Sequence, residues 1–337
     1  MMPRVSAARR LAWALLTPPL ILLCLWAEAA LWIDGPPNRA LTVLLVVAFA
    51  LSALGSLVLL RPYGRALLAL LILSVGVMVW WLRIPPRNDR DWLPEVARTA
   101  HARIEGSRVT IENVRDFTYR SDTDFDEHWD TRSYDLDKLQ GADLFLSFWG
   151  PTLYAHTIVS WEFSDGPPLA ISIETRKQKG ESYSALLGFF RQYELYYVVA
   201  DERDVIGVRD IVRGEHTYLY RLTMSAENAR RLLLDYLGEV NSLDATPQWY
   251  NALTQNCTTT IRHRAIHAGG NVPLSWKMLA NGYLDQLMYE RGSFDRRLPF
   301  EELRAKSDVT ERAKAAGWSP DFSAKIREGL PDYSRSR

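Results

Sequence analysis

The chain has 337 residues, and its 40 Lys and Arg residues balance 40 Asp and Glu residues, so the formal net charge is zero. A content of 47% hydrophobic residues excludes a globally disordered chain, and the length fits one large or two ordinary domains. The lack of a basic excess argues against a dedicated nucleic-acid-binding protein, and a total of two cysteines excludes a disulfide-dense scaffold or a cysteine-rich metal site.

The first 90 residues differ in character from the rest of the chain. They contain nine Arg, no Lys and three acidic residues, a net charge of +6, whereas the remaining 247 residues hold 31 basic and 37 acidic side chains, a net charge of −6. Three apolar segments, about 11–33, 40–60 and 66–82, have lengths that suit a helix crossing a bilayer. We therefore predict a membrane anchor over 1–90 with three transmembrane helices.

Arginine side chains flank the apolar segments unevenly. Arg4, Arg9 and Arg10 precede the first segment, and Arg61 and Arg65 lie between the second and the third. By the positive-inside rule, the N-terminus and this second loop lie in the cytoplasm, and the rest of the chain after the third segment lies outside. A cleaved signal peptide is the alternative for the first segment, but its long apolar run and the lack of a small-residue cleavage site favour a retained helix.

The remainder of the chain is predicted to form a mixed α and β domain over 91–310 and a polar tail over 311–337 that frays near its end. Alternating or short apolar runs predict strands, at Ser107–Val114, Asp143–Trp149, His156–Phe163, Leu169–Arg176, Leu195–Ala200 and Thr217–Leu222. Helical spacing of apolar residues predicts helices, at Asp91–Arg103, Ser184–Tyr193 and Ala226–Val240. The acidic and aromatic segment Asp122–Asp137 is predicted to be a loop.

Cys257 is the only cysteine outside the membrane segments, so it has no disulfide partner within the exported domain. One interpretation is a small buried hydrophobe, the usual role of a free cysteine. The other is a nucleophile, because Asn256–Thr260 is a capping-rich run at or near the start of a helix predicted within Gln248–Gly269. A thiol in the first turn of a helix has a lowered pKa, since the dipole and the free N–H groups stabilise the thiolate.

His156 and Glu174 are the candidate partners of that thiol. His156 begins a predicted strand, and a histidine facing a cysteine at a helix start is a common arrangement for thiol catalysis. Glu174 lies on the adjacent predicted strand, where its carboxylate can bond the far nitrogen of the imidazole and fix the tautomer. The alternative for Glu174 is an ion pair with Arg176 on the same face of that strand.

No cofactor or metal is predicted from the other polar residues. His263 and His267 are spaced to bind one metal, but a polar helix face explains them as well. The run Asp201–Asp204 is predicted to be a solvated turn rather than a cation site. The remaining histidines of the exported part show no recognisable partner: His101, His128 and His216.

Several short elements of the sequence occur together in one known family. They are Ala155–Thr157, Ile171–Arg176, Tyr193–Tyr197, Asp201–Asp204, Tyr250–Asn251 and Asn256–Thr259. In this order they resemble the Lnb N-terminal periplasmic domain family, over roughly Val109 to Gly292. The elements are specific together, although each is weak alone.

The resemblance implies an α+β domain with a papain-like thiol fold, related to NlpC/P60 enzymes in a permuted order in which the histidine strand precedes the cysteine helix. The family includes a lipoprotein N-acyltransferase, and Cys257 and His156 match its nucleophile and base. From the chemistry we add Glu174 as the orienting group and, as the oxyanion stabiliser, the backbone N–H of Cys257 with the side chain of Asn256 or, alternatively, of Asn251. The implied location is the bacterial inner membrane, multi-pass, with the C-terminal domain in the periplasm.

The expected function is a thiol-dependent acyl transferase or hydrolase that forms a thioester and acts on lipoprotein or lipid acyl chains. One alternative is an amidase or peptidase acting on cell-wall peptides. The other is a non-catalytic binding module tethered to the membrane. The expected partners are the lipid bilayer and a lipoprotein, phospholipid or cell-wall peptide substrate, with no nucleic acid.

Overall fold

The computed structural model describes residues 6–252 and 275–330. The chain forms two compact units. One comprises Met1–Pro86 with Ser184–Tyr193, and the other comprises Arg87–Tyr183 with Glu194–Arg337.

The first unit is built on three long helices, α1 (Ala7–Ile33), α2 (Arg39–Leu59) and α3 (Tyr63–Leu82). All three are long and apolar enough to cross a membrane, which agrees with the three predicted segments to within three residues at each end except the start of α1. Small residues fully buried between the helices, Ala27 and Ala66, let the backbones approach closely. Most leucines face outwards, as expected of side chains that meet lipid.

The segment Ser184–Tyr193 packs with these helices, although it connects two strands of the other unit. The predicted helix there is wrong, since only a 3-10 turn forms at Leu187–Phe189. The reason is tertiary contact: the carboxylate of Asp34 accepts hydrogen bonds from the backbone N–H of Arg191 and the side chain of Gln192. These contacts hold the end of the segment in irregular turns rather than in a regular helix.

The second unit is an α+β domain on an eight-stranded sheet. Its strands are β1 (His101–Glu105), β2 (Arg108–Arg115), β5 (Trp129–Asp135), β6 (Leu139–Phe148), β7 (His156–Phe163), β8 (Leu169–Arg176), β9 (Glu194–Asp201) and β10 (His216–Arg221). A separate pair consists of β3 (Thr118–Tyr119) and β4 (Phe125–Asp126). The order is β1-β2-β9-β8-β7-β6-β10, with β5 also paired to β2, and only β2 and β9 are parallel. All six predicted strands are present.

The segments Asp91–Arg103 and Asp122–Asp137 differ from their predicted secondary structure. Asp91–Arg103 contains a single 3-10 turn at Pro94–Val96 and the start of β1 instead of a helix. Asp122–Asp137 contains β4 and β5 instead of a loop. In these segments the side chains pack on the sheet or the backbone pairs with one of its strands. Such tertiary contacts override weak local propensity.

Helices cover both faces of the sheet. On one face lies α5 (Ala226–Ala245), where Tyr236 stacks edge-on against Trp161 at a centroid distance of 5.1 Å. On the other face lie α4 (Glu202–Gly207) and two C-terminal helices, which cover a core that includes Ile158 and Val198. The polar end of this second face carries His156 and Glu174.

The C-terminal part contains short helices, α6 (Trp276–Leu279), α7 (Leu284–Glu290), α8 (Phe300–Ser307), α9 (Thr310–Ala316) and α10 (Phe322–Ile326). The structure differs from the predicted polar tail, because Phe322 and Ile326 belong to the core and Arg327 is buried. Arg327 donates to Asp143 and Glu202, so this tail is held by buried ion pairs that composition alone does not show.

Candidate functional site

His156 and Glu174 lie side by side at one end of the sheet. His156 begins β7, and Glu174 is two residues from the end of the antiparallel neighbour β8. The register pairs Ile158 with Ser172, so the start of β7 lies beside the end of β8. Because side chains two residues apart share a face, Ser172 and Glu174 both point to the face that carries His156. The prediction that these two strands are adjacent is confirmed.

A serine hydroxyl connects the imidazole with the carboxylate. Nε2 of His156 lies 2.7 Å from Oγ of Ser172, and the Ser172 hydroxyl donates to Oε1 of Glu174 over 2.8 Å. A hydroxyl has one hydrogen, and here that hydrogen is donated in the hydrogen bond to the carboxylate. The oxygen of Ser172 can then only accept from the imidazole, so Nε2 of His156 carries a proton that it donates to Ser172. The network thus assigns the Nε2–H tautomer and leaves Nδ1 unprotonated. No residue within 6–252 or 275–330 hydrogen-bonds Nδ1.

The same surroundings keep His156 neutral. Burial lowers its pKa to about 3, because desolvation disfavours the imidazolium and the cation of Arg209 repels it. The carboxylate of Glu174, 3.6 Å from Nε2, raises the pKa but does not outweigh these effects. At neutral pH His156 is therefore a proton acceptor whose free lone pair is on Nδ1.

Glu174 is ionised and held by Arg209. Burial alone raises the pKa of Glu174, but the positive charges of Arg209, Arg115 and Arg213 outweigh burial and keep that pKa well below its usual range. Nη2 of Arg209 donates to Oε1 of Glu174 over 3.1 Å. The predicted alternative, an ion pair with Arg176, is wrong, because that guanidinium donates to two backbone carbonyls ahead of β1 and to Asn88.

Arg209 is itself held in place by further buried side chains. It lies on a π-helical turn, Val208–Val212, a geometry that occurs often at functional sites. Its Nη1 donates to Oε2 of Glu215 over 3.1 Å, and Ser147 donates to the same oxygen over 2.6 Å. The buried guanidinium therefore bridges two carboxylates, one of which contacts the histidine relay.

The segment that precedes His156 is clamped from the side. The side chain of Asn281 makes two hydrogen bonds with the backbone of Ala155, accepting from its N–H and donating to its C=O. Next to it, Gly282 lies so close to Thr152 that an added Cβ would be 1.8 Å from the Thr152 carbonyl oxygen. This close approach requires glycine and fixes the backbone that leads into His156.

Three apolar side chains of this clamped segment face outwards. Trp149, Leu153 and Tyr154 are 56%, 41% and 54% exposed. Scattered exposed apolar residues are ordinary, but three within six positions beside a candidate base form a local apolar surface.

Half of the predicted catalytic set lies outside the described residues. Cys257 and Asn256 fall within 253–274, as do His263 and His267, the predicted alternative metal pair. The structure describes His156 and Glu174 and brings them together.

The run Asp201–Asp204 differs from its predicted role as a solvated turn. It caps and begins α4, and Glu202 and Asp204 are fully buried. Oε2 of Glu202 pairs with Arg327 at 2.6 Å, and Oδ1 of Asp204 pairs with Arg115 at 2.7 Å. Because arginines neutralise both carboxylates, this run stabilises the fold.

Among the described residues, one group has ligand atoms close enough to hold a metal: Asp116, His128 and Asp130. Asp116 already pairs with Arg132 and Arg203. Two guanidinium groups on one carboxylate oppose cation binding, so the group does not indicate a metal centre.

The model of the Lnb N-terminal periplasmic domain family matches residues 125–282. The match lies within the range of the resemblance seen in the sequence and includes both His156 and Cys257. No curated protein and no solved structure matches the chain significantly.

The sequence pattern did not single out two residues of this site. Ser172 shares a strand face with Glu174 through their spacing of two, so the strand pattern contained the signal. Arg209 is 35 positions from Glu174 and lies on an irregular turn, so no local pattern indicated it.

Proposed function

We propose that this protein is a membrane-anchored, thiol-dependent acyl transferase or hydrolase, with Cys257 as the nucleophile and His156 as the general base. The single observation that carries the proposal is the relay from Glu174 through Ser172 to Nε2 of His156, which leaves Nδ1 as the proton acceptor. The match to the periplasmic domain family supports a site that faces the periplasm. A permuted papain-like fold and a multi-pass inner-membrane topology, with the three helices as the anchor, belong to the same proposal.

The reaction begins with proton transfer from the Cys257 thiol to Nδ1 of His156 as the sulfur attacks an ester carbonyl. The carbonyl oxygen becomes an oxyanion, which the backbone N–H of Cys257 and the side chain of Asn256 stabilise. When the tetrahedral intermediate collapses, the C–O bond breaks and the imidazolium returns its proton to the leaving alcohol. An amine or water then attacks the thioester, His156 removes its proton, and the thiol is regenerated.

The apolar surface beside His156 supports an acyl chain as part of the substrate. Trp149, Leu153 and Tyr154 offer exposed apolar area next to the base, which suits a hydrocarbon chain better than a polar cell-wall peptide. Helices long enough to cross a membrane provide access to acyl esters of phospholipids or lipoproteins.

The test uses the full chain reconstituted in vesicles with phospholipid or lipoprotein acyl donors. We expect a covalent acyl adduct on the wild type by mass spectrometry, absent from Cys257→Ala and strongly slowed in His156→Ala. Acyl transfer that persists in Cys257→Ala would refute the proposal. Cleavage of cell-wall peptides without acyl transfer would support the amidase alternative, and an unreactive Cys257 would support the binding module.

A further inference from the structure

The segment Ser184–Tyr193 has the composition of a membrane-surface element. Its sequence holds two leucines and two phenylalanines around Gly188, one arginine and no acidic residue. It belongs to the compact unit of the three long helices rather than to the sheet.

Polar contacts hold this segment at the ends of α1 and α3. Asp34, directly after α1, accepts hydrogen bonds from the side chain of Gln192 at 2.6 Å and from the indole N–H of Trp81 at 2.7 Å. The backbone N–H of Arg191 donates to the same carboxylate, and its guanidinium lies 4.1 Å from the centre of the Trp81 ring. The polar groups are thus directed inwards, at the level where the helices end.

The apolar side chains of the segment divide into supporting and exposed ones. Phe190 is 6% exposed, whereas Leu186 is 66% and Phe189 is 37% exposed. At the same helix ends, Trp32 is 47% and Leu82 is 58% exposed. The exposed part of the segment therefore continues, within one compact unit, the apolar surface that the helices present to lipid.

We propose that Ser184–Tyr193 is an interfacial segment that inserts Leu186 and Phe189 into the headgroup region of the bilayer that the three helices cross. Aromatic and aliphatic side chains at this depth exchange water for lipid, while the Asp34 carboxylate accepts hydrogen bonds from the backbone N–H of Arg191 and the side chain of Gln192. Arg191, beside Trp81, lies at the level of the lipid phosphates. The inference is independent of the thiol chemistry, because it rests on the first unit alone.

The experiment places a fluorescent label next to the two side chains without replacing them. Ala185→Cys, in a full-length background with Cys24→Ala and Cys257→Ala, is labelled with an NBD group and reconstituted in phosphatidylcholine–phosphatidylglycerol vesicles. We expect emission at a shorter wavelength than in water, and quenching by lipids with a nitroxide near the headgroup.

The matched control is Gly166→Cys, in the exposed turn between β7 and β8. That turn leads into the start of β8, whereas Ser184–Tyr193 follows the end of β8 in the chain. A Cβ added at Gly166 meets nothing within 4 Å. We expect the label at this position to emit as in water and to resist lipid-borne quenching.

A second variant tests whether the native side chains of Leu186 and Phe189 cause the insertion. With the label kept at Ala185→Cys, the double substitution Leu186→Ser and Phe189→Ser should remove the wavelength shift and the quenching. Three results would overturn the proposal: a label at 185 that behaves like the control, a label that is shielded from water yet not quenched by lipid, or quenching that the double substitution leaves unchanged.

Discussion

Replacing Ser172 with alanine should separate the imidazole from the carboxylate that orients it. In the wild type the hydroxyl connects Nε2 of His156, at 2.7 Å, with Oε1 of Glu174, at 2.8 Å. Without it, the remaining gap between Nε2 and the carboxylate is 3.6 Å, too long for a good hydrogen bond. The Nε2–H tautomer then loses its support, and Nδ1 is no longer held free to act as a base.

The size of the effect follows from the bonds removed. A hydrogen bond to a charged group contributes about 1.5–3 kcal/mol, which corresponds to a loss of roughly 10- to 150-fold in kcat/KM if orientation is what the relay provides. The assay is acyl transfer by the reconstituted full chain, with substrate concentration varied so that kcat and KM are separated. We expect kcat to fall and KM to change little, because Ser172 acts through the base.

Ser160→Ala is the matched control for Ser172→Ala. Ser160 is also a buried sheet serine that donates to a glutamate, Glu202, but it does not contact His156. Its removal should lower the stability by about 1–3 kcal/mol and leave kcat of the folded protein unchanged. If Ser172→Ala keeps full kcat, or if both variants lose activity in proportion to their loss of stability, the relay has no catalytic role.

Three further substitutions test the surroundings of the site. Arg209→Met leaves two carboxylates without their cation and should cost about 3–5 kcal/mol in unfolding free energy while reducing kcat/KM; unchanged stability would contradict the buried bridge. Asp210→Asn should become increasingly stabilising relative to the wild type as pH rises from about 4 to 7, by up to about 4 kcal/mol, because burial raises the pKa of this carboxyl to about 7 whereas the unfolded carboxyl ionises near pH 4, so the wild type loses stability between these two values; a melting temperature difference independent of pH would refute it. Gly282→Ala should abolish activity, since its Cβ would meet the Thr152 carbonyl oxygen at 1.8 Å, whereas Gly238→Ala, with open space in α5, should stabilise by about 0.5–1 kcal/mol; equal melting temperatures of these two variants would show that the clamp yields.

The strands were predictable because their patterns are strong over enough residues. The bounds of β7 and β8 coincide with the predicted ones, and their adjacency follows from the short turn that separates them. The failures at Asp91–Arg103 and Ser184–Tyr193 have a common cause. A few apolar residues at helical spacing also fit a segment that packs its side chains on another element, and only the tertiary contacts decide between the two.

The candidate site was predictable only in part, for a physical reason. Strand period and adjacency place Glu174 beside His156, so this pair follows from local rules. The charge that keeps Glu174 ionised comes from Arg209, which is distant in the sequence and reaches the site through the packing of α4 and its π-helical turn on the sheet. Ionisation of a buried group depends on all charges around it in space, which no single segment of sequence specifies.

A family element is not by itself a catalytic element. The Asp201–Asp204 run and the Ile171–Arg176 run both belong to the resemblance, yet their roles differ. Glu202 and Asp204 neutralise arginines that hold the C-terminal tail and β2, whereas Glu174 contacts the histidine relay. Substitutions in the first run should therefore lower stability before they alter chemistry.

The pKa of His156 also decides the resting state of the proposed nucleophile. An imidazolium with a pKa of about 3 is a much stronger acid than a thiol with a pKa of about 8.5, so moving the proton from sulfur to nitrogen costs roughly 7 kcal/mol before any attraction between the ions. That attraction is worth about 4 kcal/mol at 4 Å in a partly buried site, and the dipole of the predicted helix at Cys257 stabilises the thiolate by at most about 2 kcal/mol, so the two together do not close the gap. In the proposed mechanism the resting pair is therefore thiol and neutral imidazole, and proton transfer accompanies attack on the carbonyl. Alkylation of Cys257 by iodoacetamide should then be slow at pH 6 and rise with ionisation of the thiol alone, and His156→Ala should leave that pH profile in place while it abolishes acylation. A fast, pH-independent alkylation rate between pH 5 and 8 that disappears in His156→Ala would instead show a preformed thiolate–imidazolium pair and refute this assignment.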